Sequence, residues 1–111
     1  MAVVLAYVTT ESVEQAERIG RALVAERLAA CANILPGMRS IYRWKGTVET
    51  AEETVLIAKT RDTLAEALTA RVRELHSYEV PCIVILPITG GLPDFLRWID
   101  DETAPSDNPT A

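Results

Sequence analysis

The stretch from Cys31 to Thr60 constrains the fold more than any other part of the sequence. Cys31–Leu35 is apolar, Ser40–Lys45 (SIYRWK) alternates, and Glu53–Thr60 (ETVLIAKT) is apolar again, with breaks only at Pro36-Gly37 and Gly46. This pattern predicts one antiparallel hairpin with arms of roughly 14 residues, about 45 Å each if fully extended. Ordinary strands run to about five or six residues, and a 100-residue globule has a radius of gyration near 13 Å. Proline cannot donate to a central ladder, so Pro36-Gly37 reads as a bulge or bend. Either the hairpin folds back there, or its tip projects with Ile41, Tyr42, Trp44 and Val48 in water. A projecting tip leaves apolar faces and unpaired edges that other copies of the chain can cover. Geometry alone therefore predicts a homo-oligomer.

The flanking segments supply the remaining elements. Ala2–Thr9 (AVVLAYVT) is a β-branched apolar run that predicts a buried strand. Ser12 and Gln15 fit a capping box, followed by Val13, Ala16, Gly20, Leu23, Val24 and Leu28 at helical spacing, a helix of about four turns. Leu64, Leu68, Val72 and Leu75 mark a second helix, capped by Thr60 or Asp62 and ended at His76-Ser77 ahead of the extended Val80-Pro81. Cys82–Ile88 is a strand, and Pro93 opens a short helix ending near Asp101. The order β-α-β-β-α-β plus a terminal helix is the split βαβ of an α+β, ferredoxin-like fold: a four-stranded antiparallel sheet with both main helices on one face.

Composition excludes several function classes. The chain has 111 residues, 49% of them apolar and 24% charged, which suits one soluble domain over residues 1–102. No apolar run approaches the roughly 20 residues that span a bilayer. Net charge is −5, but Asp100, Asp101, Glu102 and Asp107 concentrate it at the end of the chain. The body is nearly neutral and carries no basic patch for nucleic acid. Residues 103–111 (TAPSDNPTA) read as a disordered acidic tail. Cys31 and Cys82 lie in apolar runs and read as small buried hydrophobes, not as a disulfide framework. With no secretory leader before Val3–Val8, the expected compartment is the cytoplasm.

Five segments also carry a family resemblance. Leu28–Ile34 (LAACANI), Ser40–Gly46 (SIYRWKG), Lys59-Thr60, Leu75–Pro81 (LHSYEVP) with Ile85–Ile88, and Phe95–Ile99 (FLRWI) together resemble the CutA divalent-cation tolerance family over residues 3–100. The sequence departs from the family pattern at Ala32, Ser77 and Cys82. The resemblance implies a homotrimer like that of the PII signalling proteins, with extended hairpins paired across subunits. It also implies a role in tolerance of copper or other divalent cations.

Two constellations could carry chemistry. Cys31 offers a soft thiolate suited to copper, and His76 with Glu79 places an imidazole and a carboxylate on one loop. The competing readings are a buried structural cysteine and a helix-end histidine bonded to the last carbonyls. Tyr42, Trp44, Tyr78 and Lys59 form the second set. Converging at a subunit boundary, they would line an aromatic cleft with one cation, fit for a small anion or a ring-bearing ligand. Alternatively, the aromatics pack the interface and Lys59 pairs with Glu79 or Glu53. Glu49, Glu52 and Glu53 read as a solvated acidic face. No P-loop, Cys-x-x-Cys pair or nucleophile elbow occurs, so neither an enzyme nor an organic cofactor is expected. The leading expectation is a trimeric copper-binding tolerance protein, and the alternative is a PII-like small-ligand sensor or signalling scaffold that binds metabolites in inter-subunit clefts. The sequence names no protein partner.

Overall fold

The computed structural model describes residues 2–105. Its elements are β1 (Val3–Thr10), α1 (Val13–Ala25), β2 (Cys31–Trp44), β3 (Thr47–Arg61), α2 (Ala65–Leu75), β4 (Ile83–Pro87) and α3 (Pro93–Glu102). The sheet is antiparallel with strand order β2-β3-β1-β4, the order of the ferredoxin-like fold.

α1 begins where Ser12 caps it, its hydroxyl accepting from the Gln15 N–H at 3.1 Å. The Gln15 side chain reaches past Ser12 and accepts instead from the Glu11 N–H at 3.0 Å. The helix stops at Ala25, three residues short of the expected Leu28. Leu28 N–H bonds Leu23 C=O and Arg27 N–H bonds Val24 C=O, a Schellman closure with Arg27 at φ +60°. α2 starts through a single 3-10 turn at Asp62–Leu64 and has no side-chain cap, so neither Thr60 nor Asp62 plays the expected part.

Alternation along the strands sorts the two faces of the sheet. One pleat buries Ala6, Val8, Leu56 and Ala58 against Ile19 and Leu23 of α1 and Leu68 and Val72 of α2. Gly20 lets α1 approach closely, because a Cβ there would lie 3.1 Å from the Ala32 Cβ. The other pleat meets α3, where Val3 and Ala30 bury Ile99. Arg61 holds the end of α3, donating to the Asp100 carbonyl at 2.6 Å and pairing with its carboxylate at 3.2 Å. Arg27 donates to the Ala104 carbonyl at 3.0 Å. Thr103 is 3% exposed and donates to the Ile99 carbonyl. The packed body thus runs past the expected boundary at residue 102, through Thr103 and Ala104. Residues 106–111, the rest of the expected tail, lie outside the described residues.

β1 pairs with β3 only as far as Thr10↔Thr54, whereas β2 and β3 pair on to Trp44↔Thr47. Residues 38–53 therefore form a two-stranded ribbon beyond the sheet, and the molecule is elongated, 49 × 32 × 21 Å. The register shifts between Leu35 and Met38, and Gly37 sits at φ +78°, so Pro36-Gly37 is a bulge from which the ribbon continues. Lys45 and Gly46, at φ +48° and +83°, turn the tip as a primed two-residue hairpin.

Candidate functional site

The bulge and the alternation after it fix where the ribbon's side chains point. Met38 lies opposite Glu53, so Met38, Ser40, Tyr42 and Trp44 share a pleat with Glu53 and, further down β3, with Val55 and Ile57. The loop after α2 folds over this surface. Between them lies a pocket of about 740 Å³ lined by Tyr7, Met38, Tyr42, Trp44, Glu53 and Tyr78, among others. That volume falls in the usual range for small-molecule sites, about 300–1,000 Å³.

His76 anchors the loop. Its Nε2 lies 2.7 Å from the Thr9 carbonyl, and its Nδ1 accepts from the Tyr78 N–H at 3.1 Å. This pair of bonds selects the neutral tautomer that donates from Nε2. The ring also packs on Tyr78, with centroids 4.6 Å apart. Tyr78 then donates its hydroxyl to Glu53 Oε2 at 2.8 Å. Burial, then the hydrogen bond and the charge of Glu53, push the Tyr78 phenol well above its ordinary pKa of 10.0.

Of the expected aromatic set, Tyr42, Trp44 and Tyr78 converge, but Lys59 does not. It lies six residues along β3 from Glu53, about 20 Å away. There Lys59 Nζ donates to Asn33 Oδ1 at 2.6 Å, sits 4.0 Å from Cys31 Sγ and lies over the Phe95 ring of α3 at 5.9 Å. The charged residues that line the pocket are instead Arg39, Glu53 and Glu79, and of these Glu53, which the sequence assigns to a solvated face, is the buried one. Glu53 is 8% exposed. The sequence did hold a signal: Glu53 continues the pleat of Val55 and Ile57, where strand alternation points it away from solvent.

The expected metal set also comes apart within one chain. Cys31 is level with Leu5 across the sheet, whereas His76 binds the carbonyl of Thr9, four residues or about 13 Å further along β1. Both ring nitrogens of His76 are engaged, and Glu79 is exposed at the pocket rim. Among the described residues, no group of three or more His, Cys, Asp or Glu side chains is arranged to hold an ion. Cys31 is half-buried, and Cys82 is exposed at the pocket instead of buried, because it falls on the pleat of Val84 and Leu86, the open face of β4.

This fold recurs in known proteins. Residues 4–102 match the family model described as CutA1 divalent ion tolerance protein. The chain belongs to the CutA1 divalent ion tolerance family. It is 48% identical over 96 residues to a divalent-cation tolerance protein CutA of Thermus thermophilus, covering 86% of this chain and 93% of that protein. It is 43% identical over 103 residues to the chloroplastic CutA 1 protein of rice, covering 93% of this chain but 58% of that one. The chain spans little more than half the length of the plant and mouse CutA relatives it matches. The CutA1 crystal structure from rice superposes with a TM-score of 0.91 at 42% identity, covering 96% and 97% of the two chains. The structure of the periplasmic divalent cation tolerance protein CutA from Archaeoglobus fulgidus gives 0.89 at 41% identity, covering 92% and 99%.

These names overturn the cytoplasmic expectation. The rice and Arabidopsis CutA relatives are chloroplastic and the Archaeoglobus protein periplasmic. A domain of one family works in several compartments, and the first residues of this chain are no guide to which.

Proposed function

We propose that this chain acts in divalent-cation tolerance as a homotrimer whose hairpin ribbons pair across subunits, with copper-type ions bound through Cys31. The ribbon carries the proposal. Residues 38–53 stand beyond the sheet with Ile41 72% and Val48 60% exposed, and two-stranded ribbons are marginal alone in water. Assembly covers those side chains and supplies partners for the free edge. The relatives named for divalent-cation tolerance support the biological role.

Within that assembly, Cys31 is the soft donor suited to copper. His76 and Glu79 can join it only across a subunit boundary, and His76 only by giving up a bond to Thr9 or Tyr78. Native mass spectrometry of the metal-stripped, reduced protein, titrated with copper and with zinc, tests both halves. The expected result is a trimer with a whole-number set of copper ions that Cys31→Ser abolishes and His76→Gln leaves in place. A monomer overturns the assembly, and copper uptake unchanged in Cys31→Ser overturns the metal site.

A further inference from the structure

Cys31 and Lys59 stand directly opposite each other on β2 and β3. Such a pair has its Cβ atoms about 4.5–5.5 Å apart. A lysine side chain ordinarily samples many rotamers, but here its end is held at the thiol. Lys59 Nζ donates to Asn33 Oδ1 at 2.6 Å, lies over the Phe95 ring at 5.9 Å and stands 4.0 Å from Cys31 Sγ. Asn33 is two residues along β2 from Cys31 and shares its pleat. The backbone beneath is fixed too, the Ala30 N–H donating to the Lys59 carbonyl at 2.8 Å. Both residues are half-buried, and they sit at the base of β2, apart from the ribbon of residues 38–53. Cys82 is no partner for this thiol within the chain, because it lies three strands across the sheet, beside Thr9.

We propose that Cys31 and Lys59 form a reversible sulfur–nitrogen cross-link when the protein meets a peroxide. The Cys31 thiolate attacks one peroxide oxygen. An S–O bond forms and the O–O bond breaks, and the departing hydroxide takes up the thiol proton as water. Sulfur is thereby oxidised to a sulfenic acid and the peroxide reduced. The Lys59 amine, having given one proton to solvent, then attacks that sulfur. An S–N bond forms, the S–O bond breaks and a second water leaves. Sulfenic acids condense in this way with backbone nitrogen, and the nitrogen held at this sulfur is a side-chain amine. Proximity makes the condensation intramolecular and favours it over further oxidation. Two thiols of a reductant reverse it, freeing thiol and amine as they join in a disulfide. The cross-link ties the edge strand β2 to β3. It would also withdraw the donor from the copper site proposed above, but it does not depend on that site.

Hydrogen peroxide treatment of the assembled, metal-stripped protein in the presence of a chelator tests the proposal, read by intact mass and peptide mapping. The expected product has lost two hydrogens per chain, joins the peptides of Cys31 and Lys59, and returns to the starting mass with dithiothreitol. Cys82→Ser should form the same product. Lys59→Arg keeps a cation beside Asn33 and Phe95 but offers no amine, so its Cys31 should gain oxygens and resist the reductant. Sulfinic acid at Cys31 of the wild type without the cross-link overturns the proposal. So does a Cys31 thiol that peroxide leaves untouched, or a product lighter by two hydrogens that persists in Lys59→Arg. Every arm runs without metal, so failure here is separate from failure of copper uptake at Cys31.

Discussion

The helix-covered sheet and the hairpin ribbon share two strands, β2 and β3, yet they are stabilised differently. In the sheet, β3 has neighbours on both edges and its Leu56 and Ala58 are sealed under α1 and α2. In the ribbon, the same strand has β2 alone, and its Val48 is 60% exposed. Backbone pairing is equally regular in both. The difference lies in what covers the side chains, so the body can stand as a folded unit while the ribbon depends on neighbours.

The largest expected effect separates the two regions directly. Leu56→Ala empties a fully buried site and should cost about 2–5 kcal/mol in urea unfolding. Ile41→Ser, on the ribbon, should stay within about 0.5 kcal/mol for the dissociated chain, while shifting sedimentation toward smaller species. A loss from Ile41→Ser as large as that from Leu56→Ala, in conditions where the chain sediments as a monomer, would erase the distinction.

Next come the ends of the helices that seal the sheet. Arg61→Ala removes the clasp on α3, whose ion pair is 22% and 30% exposed, and should cost about 1–2 kcal/mol. Hydrogen exchange should then quicken in α3 and leave the ribbon unchanged. Ser12→Ala removes the α1 cap and should cost about 1 kcal/mol, read as a lowered urea midpoint at unchanged slope.

The smallest effect falls where body and ribbon meet. The Tyr78 phenol titrates higher in the folded chain than in the unfolded one. Its contribution is therefore complete below the ordinary tyrosine value of about 10 and declines as pH rises above it, because the unfolded state then loses its proton first. Wild type should lose stability relative to Tyr78→Phe between pH 10 and 11, with the two curves parallel below pH 9. Parallel curves throughout would mean that Tyr78 is neither buried nor bonded to Glu53 in solution.

Much of the fold was legible because its signals are local. The Ser12 cap, the Pro36-Gly37 bulge and the Gly46 turn each act over a few residues and appear where their chemistry places them. Helix ends were less legible. α1 stops early because Arg27 takes a left-handed conformation usually left to glycine, and tertiary contacts from its guanidinium to the end of α3 accompany it. The site was half legible. Tyr42 and Trp44 share a pleat, as their spacing of two requires, and line one pocket with Tyr78, but Lys59 lies away from it and Glu53 lines it, because the charge that enters a pocket depends on distance along β3, not on residue type.

The sequence by itself determined the order of elements, the pleat each strand residue occupies and the excess length of the hairpin, since periodicity and turn chemistry act within a single segment. Only the tertiary structure decided which groups share a site. It placed Cys31 with Lys59 and Asn33, far from His76, and it closed the His76 loop over Glu53. Those meetings join residues tens of positions apart, and they follow from strand order and register, which no local pattern encodes.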